Sequence, residues 1–116
     1  MSTRLPGARY KSVFDRGRSI RGRLLVAWHL ESPGVRPSAG VVVSKKSFHD
    51  AVDRNRAKRL MREAFRLLVK AGRIPECTEW VLVGRSSLSG KAVRDVVEDI
   101  AALCARLPGR AKPVAG

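Results

Sequence analysis

With 116 residues, 44% of them apolar, the chain is long enough for one core, too short for two, and too apolar to be disordered. A net charge of +14 points to a polyanionic partner, nucleic acid first and an anionic membrane surface second. No run approaches the ~18 apolar residues of a membrane span. The opening residues also lack the apolar stretch of a signal peptide, so a cytoplasmic protein without membrane contact is expected. Cys77 and Cys104, the only cysteines, have no metal-binding spacing and read as reduced thiols.

Residues 1–7 are polar around Pro6-Gly7 and are expected to be a flexible N-terminus. One folded domain is expected over residues 8–107. Ala8 to Arg16 reads as a short helix stopped by Gly17, with Tyr10, Val13 and Phe14 on one face. Tyr10 and Phe14 fit core packing and exposed base stacking about equally. Ser19 to Leu30 is strand-like and divisible at Gly22. Leu24, Val26 and Trp28 point one way, Leu25, Ala27 and His29 the other, and both faces are apolar enough to be core. Pro37 to Ser44 is a second strand, expected to pair with the first as an antiparallel hairpin.

After Lys45-Lys46 and a loop at 47–50, a helix is expected to run to about Lys70 and stop at Gly72. Asp50 or Asp53 is the candidate N-cap. At 100° per residue, Ala57, Leu60, Met61, Ala64 and Leu68 fall in one sector, with Phe65 and Leu67 at its edges. Arg54, Asn55, Arg56, Lys58, Arg59, Arg62 and Arg66 cover the opposite arc. An ordinary solvated face mixes signs, because like charges at i,i+4 destabilise a helix. Here Arg54, Lys58, Arg62 and Arg66 repeat at that spacing, and Glu63 is the only acid between Arg54 and Lys70. Such a face calls for an external polyanion. Arginine outnumbers lysine in it, which suits bidentate phosphate and guanine contacts.

Trp80 to Gly84 is a buried-type strand, and a last helix is expected to begin at Ser89 or Gly90 and end before Leu107-Pro108-Gly109. Its stripe runs through Val93, Val96, Ile100 and Leu103, with Asp95, Glu98 and Asp99 outside. Residues 108–116 are expected to be a disordered basic tail. The order describes an α+β sandwich, one sheet with helices on one side, and a βαβ unit from Gly40–Ser44 to Trp80–Gly84. No catalytic constellation, metal spacing or Walker lysine is present. The polypeptide reads as a binder, with catalytic residues: none, and metal ligands: none. Strands precede the basic helix, which argues against a helix-turn-helix DNA reader, and aromatics at 10, 14 and 28 suit unstacked RNA bases.

Val43-Ser44-Lys45-Lys46 followed by Ala51-Val52-Asp53-Arg54-Asn55-Arg56-Ala57-Lys58-Arg59-Leu60-Met61-Arg62-Glu63-Ala64-Phe65 resembles the "RNR" signature of the bacterial ribonuclease P protein subunit. Arg9 to Gly17 resembles that family's first helix, and Trp80 to Arg85 its last strand. The resemblance implies an αβββαβα fold, with one four-stranded sheet and a left-handed βαβ crossover where a right-handed one is the general rule. It implies a basic monomer, one per catalytic P RNA, assisting removal of the 5′ leader from precursor tRNA. It further implies that Mg²⁺ held by the RNA performs the hydrolysis. Lys45, Arg54, Asn55, Arg56, Lys58, Arg59 and Arg62 would then face the P RNA. Tyr10, Phe14, Val26, Trp28, Val42, Lys46 and Gly84 would form the leader cleft. Two departures stand out. Phe48-His49-Asp50-Ala51 replaces a Gly-Asn-Ala step and is one residue longer, and Trp28 and Val42 replace a tyrosine and a small or polar residue. The alternative on charge alone is a ribosome-associated or chaperone-like RNA-binding protein without a cleavage role.

Overall fold

The computed structural model describes residues 3–107. Its elements are α1 (Tyr10–Arg16), β1 (Arg18–Arg21), β2 (Leu25–Glu31), β3 (Ser38–Val42), α2 (Ala51–Lys70), β4 (Thr78–Gly84) and α3 (Val93–Ala105). A 3₁₀ turn at Gly7–Arg9 replaces the expected first turn of α1. The order is the αβββαβα expected, and β1 and β2 are divided at Gly22. A Cβ there would stand 2.6 Å from Asp99 Oδ2 and 2.9 Å from the Leu25 carbonyl.

The four strands run β1-β2-β4-β3. The expected hairpin between β2 and β3 does not form, because β4 lies between them, antiparallel to β2 and parallel to β3. The reason is burial. All but one residue of β4 is buried, so it needs a partner on each edge and a layer on each face. The connection from Ser32 to Pro37 steps over its start, where the Ser32 N–H donates to the Cys77 carbonyl at 2.8 Å. The βαβ reading of β3, α2 and β4 holds, with Val41 beside Leu82 and Val42 beside Val83.

Helices cover both faces of the sheet, not one. Under α2 and α3, the main core joins Leu25, Ala27, Trp80 and Leu82 of the sheet to Met61, Phe65, Ile100 and Leu103. On the opposite face Val13 of α1 packs against Val81 and Leu5. Phe65, expected at the edge of the α2 stripe, is buried edge-on to Trp80 at 6.3 Å, while Leu67 is exposed. The buried sector of α2 is therefore rotated toward Phe65, since the large indole of Trp80 is the partner on that side. The helix ends as expected. Gly72 takes a left-handed φ of 72°, and the Gly72 and Arg73 N–H groups reach back to the carbonyls of Val69 and Leu68. By contrast, α3 begins at Val93, later than expected, where the Ala92 N–H donates to Asp95 Oδ2 at 2.9 Å. Asp99, expected outside, is buried and accepts from the N–H groups of Arg23 and Leu24 at 3.0 and 2.9 Å.

The N-terminal segment carries a fixed pairing where a flexible stretch is expected. From Thr3 it lies along the outer edge of β3. The Ala39 N–H donates to the Thr3 carbonyl at 2.8 Å, the Leu5 N–H donates to the Ala39 carbonyl at 3.1 Å, and Leu5 is buried. Tyr10 extends this cover, its hydroxyl accepting the Val41 N–H at 3.2 Å. An edge that would otherwise offer free backbone groups is closed. The expected tail at 108–116 lies outside the described residues.

Glu79 of β4 locks this arrangement. It is buried and accepts from Arg9 Nε at 3.0 Å, Arg9 Nη2 at 2.7 Å and Ser32 Oγ at 2.6 Å. The Arg9 hydrogen bonds hold its carboxyl below the usual glutamate range, against the opposing effect of burial and with help from Ser32. A depressed carboxyl contributes stability that is present above its unfolded pKa of about 4.3 and lost as pH falls through the folded value. Glu79→Gln is expected to cost about 1–2 kcal/mol at neutral pH. That difference from the wild type should shrink below about pH 4. Thermal melts of both proteins across the acid range check it; a difference that stays constant with pH counts against the lock.

Candidate nucleic-acid interface

Two surfaces carry the residues singled out by sequence, one on each side of the sheet. The first is the outer face of α2. Asn55, Arg59 and Arg66 are exposed there, with Lys58 and Arg62 half-buried by their stems. Arg59, Lys58 and Arg62 have no hydrogen bond or ion pair within the described residues. Arg66 pairs with Glu63 at 2.7 Å, the one acid of the face. An open groove of about 680 Å³ runs along the helix, with Arg56, Arg59, Arg62 and Arg66 of α2 and Arg4 of the N-terminal segment in its walls. A rigid helix seated by five buried side chains holds these cations in a fixed array against their mutual repulsion.

Not every basic residue of the signature faces outward in this way. Arg54 turns back, and its Nη1 donates to the carbonyls of Phe48 and His49 at 3.0 and 2.9 Å. Arg56 reaches across to the Lys91 carbonyl at 3.2 Å, tying α2 to the turn before α3. Asp50 occupies the N-cap position without a side-chain cap bond, so Arg54 takes over the ordering of the loop. The loop itself is built around Phe48, buried in the main core. The Phe48 N–H donates to the Ser44 carbonyl at 3.0 Å, and the Ser47 N–H to Ser44 Oγ at 3.1 Å. Lys45 and Lys46 are exposed on this turn, at the end of β3.

The second surface is a trough beside α1. This helix lies across the strands. Tyr10 sits on Gly40 of β3, where any Cβ would collide with the phenol ring. Val13 meets Val81 of β4, and Phe14 stands edge-on to Trp28 of β2 at 5.3 Å and 74°. Alongside runs a transverse row set by the strand register. Val42 neighbours Val83, Val83 neighbours Val26, and Val26 neighbours Arg21. Tyr10, Phe14, Val26, Trp28 and Val42 are all half-buried on this face, and Lys46 lies beyond Val42 at the strand end. The strand question left open by periodicity is thereby answered, with Leu25 and Ala27 in the main core, Trp28 on the trough face, and Val26 placed there by its pairing with Val83.

Gly84 does not join them. A Cβ there would meet Leu88 and Val43 at 3.1 Å and Met61 at 3.3 Å, so it faces the main core. The trough residue of β4 is Val83, half-buried between Val26 and Val42 and missed by the sequence reading. Strand alternation could have found it. If Trp80 and Leu82 are core, Val81 and Val83 point the other way and Gly84 returns to the core.

The described residues contain no group of three or more His, Cys, Asp or Glu side chains arranged to hold a metal. No described helix is long and apolar enough to cross a membrane. Cys77 and Cys104 are not joined by a disulfide. The molecule thus offers a fixed cationic helix and a separate aromatic-aliphatic trough, joined at the Ser44–Asp50 loop.

The sequence profile of the Ribonuclease P family matches residues 5–108. The chain is 36% identical over 97 residues to the ribonuclease P protein component of Pelotomaculum thermopropionicum, covering 84% of each. It is 35% identical over 91 residues to that of an Exiguobacterium species, covering 78% of this chain and 76% of the relative. Among solved structures it superposes on the RNase P protein from Thermotoga maritima with a TM-score of 0.76 and 29% identity, over 91% of this chain and 98% of that one. The chain therefore belongs to the Ribonuclease P family, as a protein component of the tRNA-processing enzyme and an RNA-binding subunit of it.

Proposed function

We propose that the outer face of α2 holds the catalytic P RNA while the α1 trough holds the 5′ leader of precursor tRNA. The observation that carries this reading is the separation of the two surfaces. One is a row of cations on α2 in which Lys58, Arg59 and Arg62 have no hydrogen bond or ion pair among the described residues, a surface suited to phosphates. The other is a half-buried aromatic and aliphatic floor suited to unstacked bases. A single monomer bound to one P RNA then tethers the leader beside the RNA's reactive centre, with Lys45 and Lys46 at the junction. Hydrolysis is assigned to Mg²⁺ bound by the RNA and its substrate, and no step is routed through a metal on this chain. The protein contributes binding energy that positions the scissile phosphate and neutralises repulsion between two RNAs.

Adding the protein to a bacterial P RNA and a precursor tRNA at low Mg²⁺ is expected to raise cleavage at the mature 5′ end at least tenfold over RNA alone. Equal rates with and without protein would overturn the reading. The RNA that copurifies with the protein separates it from a ribosome-associated role, for which ribosomal RNA would be recovered.

A further inference from the structure

The trough does not end at Val26. Its row continues to Arg21 on β1, the outermost strand of the sheet. We infer that Arg21 is a phosphate clamp at the exit of the trough, gripping the distal part of the precursor-tRNA leader after it has crossed the valine row from the Lys46 side. This rests on the leader reading given above and adds a residue, a direction and an end point to it.

Three observations support it. First, the register puts Arg21 on the trough face, directly beside Val26, while its side chain is exposed and has no partner within the described residues. Second, the row runs through valines from Val42 on β3 to the cation Arg21 on β1, with Lys46 in the turn that follows β3. Four strands at about 4.8 Å spacing set Val42 and Arg21 roughly 15 Å apart, a distance that a single extended strand of RNA crosses with bases on the floor and a phosphate at the Arg21 end. Third, the turn following Arg21 is fastened from several directions. The Gly22 N–H donates to the Leu25 carbonyl at 2.8 Å, and Asp99 takes the Arg23 and Leu24 N–H groups. Arg85 Nη1 donates to the Gly22 carbonyl at 2.7 Å and Ser87 Oγ to the Arg23 carbonyl at 2.6 Å. Arg106 Nη1 donates to the carbonyl of Arg21 itself at 3.1 Å, which brings a second guanidinium to the same edge. A backbone so fixed removes the backbone share of the ordering cost, leaving only the Arg21 side chain to be ordered on binding.

The test uses the holoenzyme and precursor tRNAs whose leaders are lengthened one nucleotide at a time. Wild-type affinity is expected to rise with each added nucleotide until the row is crossed. Arg21→Ala is expected to follow the wild type for short leaders and to lose about fivefold to tenfold for long ones. Its salt dependence with long leaders should also be shallower by about 0.7 in log–log slope. Trp28→Ala serves as the comparison and should lose affinity already with short leaders. A wild type that gains with leader length and an Arg21→Ala that matches it throughout would overturn the clamp alone. So would an Arg21→Ala loss of the same size on leaderless tRNA or on P RNA binding. A wild type indifferent to leader length would overturn the leader reading and the clamp together. Unchanged thermal melting of Arg21→Ala, expected for an exposed side chain, and rescue by Arg21→Lys complete the set.

Discussion

Replacing Arg59 and Arg62 together by alanine is expected to lower affinity for P RNA by about tenfold to a hundredfold and to reduce the log–log salt slope by about two. Both side chains sit on the outer side of α2, and neither has a hydrogen bond or ion pair among the described residues. Removing them therefore takes away no internal hydrogen bond or ion pair among the described residues, and only the packing of the half-buried Arg62 stem. The fold should not suffer, because the substitutions relieve like-charge repulsion with Arg66 and Lys58 along the helix. Thermal melting at or slightly above the wild-type temperature, with binding measured over a salt series, checks both halves. Binding and salt slope unchanged would remove α2 from the P RNA interface. Arg54 makes the contrast. Although it lies in the same signature, its guanidinium is committed to the Phe48 and His49 carbonyls. Arg54→Ala should therefore cost about 1–2 kcal/mol of stability by unfastening the loop, and should weaken both RNA ligands through that loop.

The second large effect is expected at Trp28. Its truncation to alanine should weaken holoenzyme affinity for precursor tRNA by about 1–2 kcal/mol, roughly fivefold to thirtyfold, and leave mature tRNA and P RNA binding near wild type. The indole lies half-buried at the trough, edge-on to Phe14, where a base can stack on what remains exposed. Some stability is lost as well, because Phe14 loses its neighbour, so Trp28→Phe is the companion variant that keeps an aromatic surface. Affinity that falls equally for leaderless tRNA would show that the trough serves another ligand. Together with the α2 variant, this experiment asks whether the two faces of the sheet serve two different RNAs. The structural basis for a clean division is that the main core separates them.

Much of the molecule is legible in the sequence wherever a local period carries the information. The stripe of α2, its stop at Gly72 and the break at Gly22 follow from short-range patterns, and the parallel pairing of β3 with β4 from the strand–helix–strand order. The partner of β2 does not. Strands adjacent in sequence pair by default, and only the burial of β4 on both faces shows why it takes the place between them. The placement of α1 is equally non-local, since Tyr10, Val13 and Phe14 could have covered either face until Gly40 provided a seat for the phenol.

Sequence by itself determined the chemistry. The sign, density and register of the cations from Arg54 to Arg66 mark a polyanion-binding helix, because charge and helical periodicity are properties of neighbours along the chain. Tertiary structure alone decided how those cations are held. Arg54 and Arg56 donate to carbonyls more than one helical turn away or on another element, while Lys58, Arg59 and Arg62 have no hydrogen bond or ion pair among the described residues. It also exchanged Gly84 for Val83 in the trough and extended the row to Arg21. The physical reason is that a hydrogen bond or a strand register is fixed by the distance between groups in space, and β4, which sets that distance for both sheet faces, arrives only after every residue it organises on β1, β2 and β3.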